Sequence, residues 1–401
     1  MRPEMPVRHH SIVTWEKGHV RAAIVELSQG AAELVGVAAA PVDGIGRTSY
    51  PDIDRWSAGC NEALSQAEEM TPASCGRKVV PNYVTMSVPS EIVRNLSVVV
   101  SSRRRHEDRG ITPDELKRLL KRGYRKAQDL VGSQSEEVSG EVIHGSVAEI
   151  MLDGQAIIDP LGLYGEQLEL RMSFYLAPRE WIRALQIVAE RLQLGLTAIV
   201  PHHVAYASPL PNAATLLILL DEYHSIICMG YDGHIGWTAK VDVGERQIVA
   251  ATAGVLDLRG READVLMRAY RARQVRKQVE LKLASVFWVE LRRWMAALAD
   301  EVKRGTGRSW VPHRMYFVDI TRRMPEAHKS LETPFWEQAL PFDRCPEVID
   351  LDVNAVRNVL DCTARAGGQP YLLLRTLAYY VARLYAPGNN LDRELTTIIH
   401  W

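Results

Sequence analysis

Residues 151–176 read MLDGQAIIDPLGLYGEQLELRMSFYL. The reading of this stretch decides how the rest of the chain is divided. Asp153-Gly154 favours a tight turn, and Pro160 after Asp159 fixes φ and withholds a backbone donor, so no regular ladder runs through that point. Gly162 and Gly165 add two more places where the chain can bend. Alternating runs flank the loop, SVAEIML before it and QLELRMSFYL after it, and both read as strands. A helix follows, with Pro178 near its start and Trp181, Ile182, Leu185, Val188, Ala189 and Leu192 at helical spacing. Gly195 ends the helix, and LTAIV is a further short strand.

The order DGQ…IDPLG-x-x-G-x-x-LE, then a helix, then GL-x-x-x-IV-x-x-x-x-A resembles the 1C subdomain of FtsA, the actin-like protein of bacterial cell division. The resemblance extends, unevenly, over nearly the whole chain. It implies an α/β, actin-like (ribonuclease H-like) two-domain fold with an inserted FtsA-type 1C (SHS2) subdomain. The expected division is residues 1–80 for the first part of domain one and 81–207 for the insert. Residues 208–401 form the second domain, with a shortened helical 2B region and the return of a closing helix. Asp159, Pro160, Gly162 and Gly165 are the expected interaction loop of the insert.

Composition narrows the function classes. Lys and Arg number 48 against 49 Asp and Glu, so nothing global points to nucleic acid. The five cysteines lack a CxxC pair and read as reduced thiols. No apolar run reaches membrane-spanning length, and the first residues lack the apolar core of a signal peptide. The expectation is a cytoplasmic protein, with the inner face of the cell membrane as an alternative position. SSRRRHEDRG (101–110) reads as a solvated loop, or else as a docking patch for an acidic partner. Thr112, Pro113 and Glu115 have the spacing of a helix N-terminus with a capping box. His202-His203 read as structural histidines at a strand end, with metal ligation as the alternative. From 260 to 303 the pattern is helical, with Val286, Phe287, Leu291, Trp294 and Leu298 on one apolar stripe.

Three loops carry the functional argument, because in the family they hold ATP. The first family turn, Asp-x-Gly-Thr, aligns with Thr14, Trp15, Glu16, Lys17 and Gly18. An acid has become Thr14, and a carboxylate, Glu16, stands where backbone should be bare. The second, Asp-x-Gly-Gly-Gly-Thr, is replaced by Asp221, Glu222, Tyr223 and His224. The third, a glycine loop on the adenine side, is replaced by Asp319, Ile320, Thr321 and Arg322. Phosphate binding of this kind needs backbone N–H groups that a bare turn lets close to the ligand.

No GxSxG, HExxH, Walker A or paired-cysteine motif is present. The expectation is therefore a pseudo-ATPase with no catalytic residue, no cofactor and no metal, acting as a cell-division scaffold or adaptor. The resemblance implies an FtsZ-like tubulin homologue or other division proteins as partners, and self-association through the insert. It also implies a C-terminal amphipathic helix at the membrane, but GNNLDRELTTIIHW is short and lacks a basic face. Two alternatives stand beside this reading. One is an active, divergent ATPase; the other is a scaffold like the PilM component of type IV pilus assembly.

Overall fold

The computed structural model describes residues 9–16, 18–28, 30–42, 52–104, 106–133, 140–231, 233–306, 310–321, 324–386 and 390–400. Two compact units emerge. One comprises Met1–Asn212, Tyr231–Gly236 and Asp352–Trp401; the other comprises Ala213–Gly230 and Trp237–Leu351.

The first unit opens with an antiparallel meander of β1 (His9–Glu16), β2 (His19–Ser28) and β3 (Ala31–Pro41). Every β1 residue from His10 to Trp15 is buried. Consecutive burial means that both faces of the strand are covered, which is why HSIVTW does not alternate in polarity. The cover comes from α1 (Ile53–Cys75), against β2 and β3, and from a helix near the C-terminus described below. The sequence pattern ends α1 at Met70, but it continues through Pro72 and stops at Gly76, whose left-handed φ of 73° closes the helix. β4 (Tyr83–Val88) then lies parallel to β1.

From β4 the chain leaves this sheet. β5 (Arg94–Arg103), α2 (Pro113–Ser133), β6 (Glu141–Leu152), β7 (Gln155–Ile157) and β8 (Gln167–Ala177) form a separate antiparallel sheet in the order β5-β8-β6-β7. α2 seals one face of it with Leu116, Leu119 and Leu120 against Val100, Leu170 and Met172. The chain returns through α3 (Arg179–Arg191) to β9 (Gly195–Pro201), parallel to β4, and ends this segment with α4 (His202–Ala207). The inserted sheet thus occupies 94–177, narrower than the 81–207 expected, because β4 and β9 pair with each other inside the main sheet.

The second unit holds β10 (Ala214–Leu220) and, apart from the Tyr231–Gly236 stretch that belongs to the first, β11 (Ser225–Tyr231) and β12 (His234–Val241); three helices follow, α5 (Glu245–Val255), α6 (Gly260–Arg271) and α7 (Lys277–Thr306). Then come β13 (Arg314–Asp319), α8 (Pro325–Leu331), α9 (Phe335–Ala339) and β14 (Glu347–Asp350). The segment between β12 and β13 contains only helices among its described residues. α7 buries Leu283, Phe287, Leu291, Trp294 and Leu298, while Val286 is only half-buried.

The chain finishes in the first unit with β15 (Val359–Asp361), parallel to β3, then α10 (Leu372–Leu384) and α11 (Asn390–His400). α10 packs on β1, β2 and β3. The main sheet runs β15-β3-β2-β1-β4-β9 and the second unit's sheet runs β12-β11-β10-β13-β14. Leaving β15 aside, both repeat one order: third, second, first, fourth and fifth strand.

Trp294 anchors the second unit's core. It is fully buried, and its indole N–H donates to Ser225 Oγ at 2.8 Å. Trp294→Ala is expected to lower stability by about 3–5 kcal/mol, and Trp294→Phe by less, because the ring refills much of the volume. Urea denaturation measures both; an unchanged midpoint for the alanine variant would contradict this core.

Candidate functional site

The first of the three loops turns out to be mostly strand. Thr14 and Trp15 continue the β1–β2 ladder, which runs to Glu16 opposite His19, so Thr14–Glu16 of the expected turn are strand. Lys17 lies outside the described residues. Gly18 has φ 74°, and its carbonyl accepts from Val42 N–H at 2.7 Å. A two-residue turn needs positive φ, and β-branched Thr14 and aromatic Trp15 suit a buried strand, which is the physical reason for the shift. The rings of Trp15, Trp56 and Trp181 follow one another at centroid distances of 5.4 and 5.0 Å. Glu16 is held in place: it accepts from Arg21 Nη1 at 3.1 Å and from the Tyr206 hydroxyl at 3.0 Å.

At the second loop, Asp221 to His224 fold into a tight turn, with Asp221 N–H donating to the His224 carbonyl at 3.0 Å. This turn lies on the first turn of α5. The Asp221 carbonyl accepts from Glu245 N–H at 2.9 Å, and the Glu222 carbonyl from Arg246 N–H at 2.7 Å. Gly244 N–H donates to the Gln247 side chain at 3.0 Å, and that amide donates to the Tyr223 carbonyl at 2.8 Å. The approach is close enough that a Cβ on Gly244 would sit 2.4 Å from His224 N. Helix N-termini attract anions through N–H groups that have no intrahelical partner. Here two of those donors, at Glu245 and Arg246, are satisfied by carbonyls of the chain itself. Arg246 reinforces the contact, pairing with Glu222 at 3.3 Å and lying over the Tyr223 ring at 5.4 Å. Behind it, buried Glu245 is paired with Arg271.

The third loop follows β13. Asp319 accepts from Thr321 Oγ1 at 2.7 Å with one carboxylate oxygen and from Met324 N–H at 3.0 Å with the other. The carboxylate closes the loop and leads the chain into α8. Arg322 lies outside the described residues. His203, at the strand end noted in the sequence, is buried beside the Tyr175 ring, and burial lowers its pKa to about 3, so it is neutral.

The insert's loop at 153–165, where the sequence raised an expectation of interaction, is tied down by hydrogen bonds to its own backbone. Asp153, at φ 49°, accepts from the N–H groups of Glu166 and Gln167. Asp159 accepts from Leu161 N–H at 3.0 Å, and the Leu163 N–H donates to the Pro160 carbonyl at 3.2 Å. Gly162, at φ 76°, exchanges ladder-like bonds with the 110–111 segment: its N–H donates to Ile111 O, and Ile111 N–H donates to Leu163 O. Gly165 sits against Leu152 and Asp153 with no room for a Cβ.

Arg104 ties these pieces together. Its guanidinium donates to the carbonyls of Gly165 at 2.9 Å and Arg109 at 2.8 Å, and pairs with Glu115 at 3.2 Å. Expected in a solvated loop, it is buried instead, because three acceptors converge on it. Thr112 and Glu115 form the capping box read from the sequence. The apolar side chains of the loop face outward: Ile158 is 85% exposed and Tyr164 67% exposed, with Leu161 and Leu163 beside them in the chain. The turn formers alone do not point to these four; the IIDPLGLY run between polar turns is the signal that does. The edge strand β5 is partly closed, since Lys126 Nζ and Arg122 of α2 donate to the carbonyls of Val99 and Ser101.

No protein-family profile matches the chain. It is similar to cell division protein FtsA of Streptococcus pneumoniae serotype 2 (strain D39), with 25% identity over 198 residues, 48% of this chain and 39% of that protein. Against FtsA of Bacillus subtilis (strain 168) the identity is 22% over 239 residues, 57% of this chain and 50% of that protein. The chain thus spans half or less of the curated relatives it matches. A chain of a PilM-PilN type IV pilus biogenesis complex superposes with a TM-score of 0.61 at 13% identity, over 94% of this chain and 99% of its own. The fold is the α/β actin-like one. Among the described residues no helix is long and apolar enough to cross a membrane.

Arg104→Ala leaves Glu115 and two carbonyls without their partner, so stability is expected to fall by about 3–5 kcal/mol. Partial burial raises the Glu115 pKa, but the Thr112 N–H and Arg104 outweigh it and hold the carboxyl below its ordinary range. A depressed folded value contributes stability above the unfolded pKa of about 4.3 and loses it as pH falls through the folded value. Thermal melts from neutral to acid pH are expected to show a shallower acid decline in Arg104→Ala than in the wild type.

Proposed function

We propose that the chain is an FtsA-like scaffold or adaptor that works through protein surfaces and does not use ATP. One observation carries this reading: the first-turn N–H groups of α5 donate to the Asp221 and Glu222 carbonyls. A phosphate would have to displace the chain's own backbone and approach two carboxylates. The loop at Asp319, closed on its own carboxylate, and Glu16, held by Arg21 and Tyr206, point the same way. The proposed partners are an FtsZ-like tubulin homologue or other division proteins, met in the cytoplasm at the inner face of the membrane. Copies of the chain associate through the insert, with Ile158 and Tyr164 as the contact surface.

The second reading, a scaffold of the type IV pilus kind, draws support from the superposition on the PilM-PilN chain, which spans nearly all of both chains. Co-sedimentation with polymers of the host's FtsZ separates the two. Pelleting with the polymer supports the division role, and failure to pellet favours the second.

Calorimetry with ATP and magnesium is expected to give no heat up to millimolar ligand; one site per chain with low micromolar affinity would refute the pseudo-ATPase reading. For association, Ile158→Asp combined with Tyr164→Asp is expected to raise the dimer dissociation constant by about tenfold or more. Sedimentation velocity reads this directly, and unchanged association would remove the loop from the interface.

A further inference from the structure

The C-terminal helix α11 lies in a groove of the inserted module, against α2 and β6. Leu395 is fully buried in the module's core, and Leu391, Ile398 and Ile399 pack against it. The seat depends on Gly145 of β6: a Cβ there would lie 3.0 Å from Ile399 Cδ1 and 3.1 Å from Leu395 Cδ2. Two carboxylates fix the register. Asp392 accepts from Val147 N–H at 3.3 Å and faces His234 Nδ1 at 3.7 Å, while His234 Nε2 is 2.8 Å from Arg383 Nη2. Glu394 pairs with Lys117 of α2. Lys117 is the α2 cation set against α11, whereas Arg122 and Lys126 turn to the β5 carbonyls of Ser101 and Val99.

Two features distinguish this contact from ordinary core packing. First, α11 is an 11-residue helix joined through Pro387-Gly388-Asn389, and a helix that short is marginal unless it is docked. Among its described side chains Leu395 is the one wholly buried in the module's core, so its local opening requires less than global unfolding. Second, beside Ile399 the groove opens into a cavity of about 460 Å³ of mixed lining, with Tyr124, Val142, Ile182 and Ile199 beside Gln128, Glu141, Arg179 and Gln186. A helix with one more turn would cover surface there.

We infer that this groove is a receiving site for an acidic amphipathic helix of a partner protein, and that α11 holds the site closed by occupying it. The partner carries α11's pattern: apolar residues at i, i+4, i+7 and i+8, as Leu391, Leu395, Ile398 and Ile399, and carboxylates at i+1 and i+3, as Asp392 and Glu394. Displacement is competition between two helices of one chemistry, so a partner binds more weakly by the fraction of time that α11 is docked. The inference does not depend on which scaffold reading holds, since it rests on the insert and α11 alone.

The test uses the 401-residue chain and a fluorescein-labelled synthetic peptide copying residues 389–401. Leu395→Asp with Ile399→Asp unseats α11, and the labelled peptide is then expected to bind at least about tenfold tighter than it binds the wild type. The same peptide with Glu394→Lys loses that binding, and adding Lys117→Glu to the unseated protein restores it. Hydrogen exchange on the unaltered protein gives an independent reading: α11 amides are expected to exchange faster than those of α10. Three results would overturn the inference. One is a folded, unseated variant that does not bind the peptide. Another is α11 exchange as slow as that of α10. The third is a wild-type dimer that the double substitution abolishes, which would assign the groove to a second copy's α11.

Discussion

The parallel pairing of β4 with β9, from Tyr83 opposite Gly195 to Val88 opposite Pro201, is the constraint on which the first unit depends. Parallel neighbours need a long crossover, and here that crossover contains an entire second sheet besides the helix α3. Because the two strands lie side by side, the insert leaves and re-enters at nearly one point. It can therefore carry its own core without straining the sheet that bears it. A buried polar relay fixes the register: His10 Nε2 lies 2.9 Å from Thr85 Oγ1, which is 3.0 Å from Thr197 Oγ1, which donates to the Val84 carbonyl at 2.9 Å. Burial pushes the His10 pKa down to about 3, so the ring stays neutral within the relay.

The same principle explains the altered loops. A glycine turn leaves its N–H groups for a ligand; a turn built from Asp, Glu and bulky residues satisfies those groups internally. At 221–224 the chain's carbonyls satisfy α5, and at 319–324 a carboxylate satisfies the backbone that follows it. In the insert the balance is different: Arg104, Asp153 and Asp159 spend their polar atoms on the backbone of the loop, and the apolar side chains are left outside.

Much of this was legible in the chain itself. The turn signals at Asp153-Gly154 and Asp159-Pro160, the capping box at Thr112 and Glu115 and the stripe along α7 all form as read, because each depends on neighbours within a few residues. Errors arose where distant partners decide. The turn over Thr14–Gly18 became strand because β2 pairs through to His19. Arg104, one of four arginines in a polar run, became buried because Glu115, Arg109 and Gly165 meet around it. The insert's limits narrowed because strands assigned to it pair with each other in another sheet.

The sequence by itself determined the alternation of strands and helices, the place of the insert in chain order and the bulky and charged residue types at 14–16, 221–224 and 319–321. These are local facts, written in hydrophobic period, turn chemistry and residue type. Tertiary structure alone decided what the replacing side chains do. Whether Glu222 faces an empty site or sits against the start of α5, and whether a short C-terminal helix floats or fills a groove over Gly145, depends on contacts across tens to hundreds of residues. Such contacts leave no periodic trace in the chain, because they are set by which surfaces folding brings together.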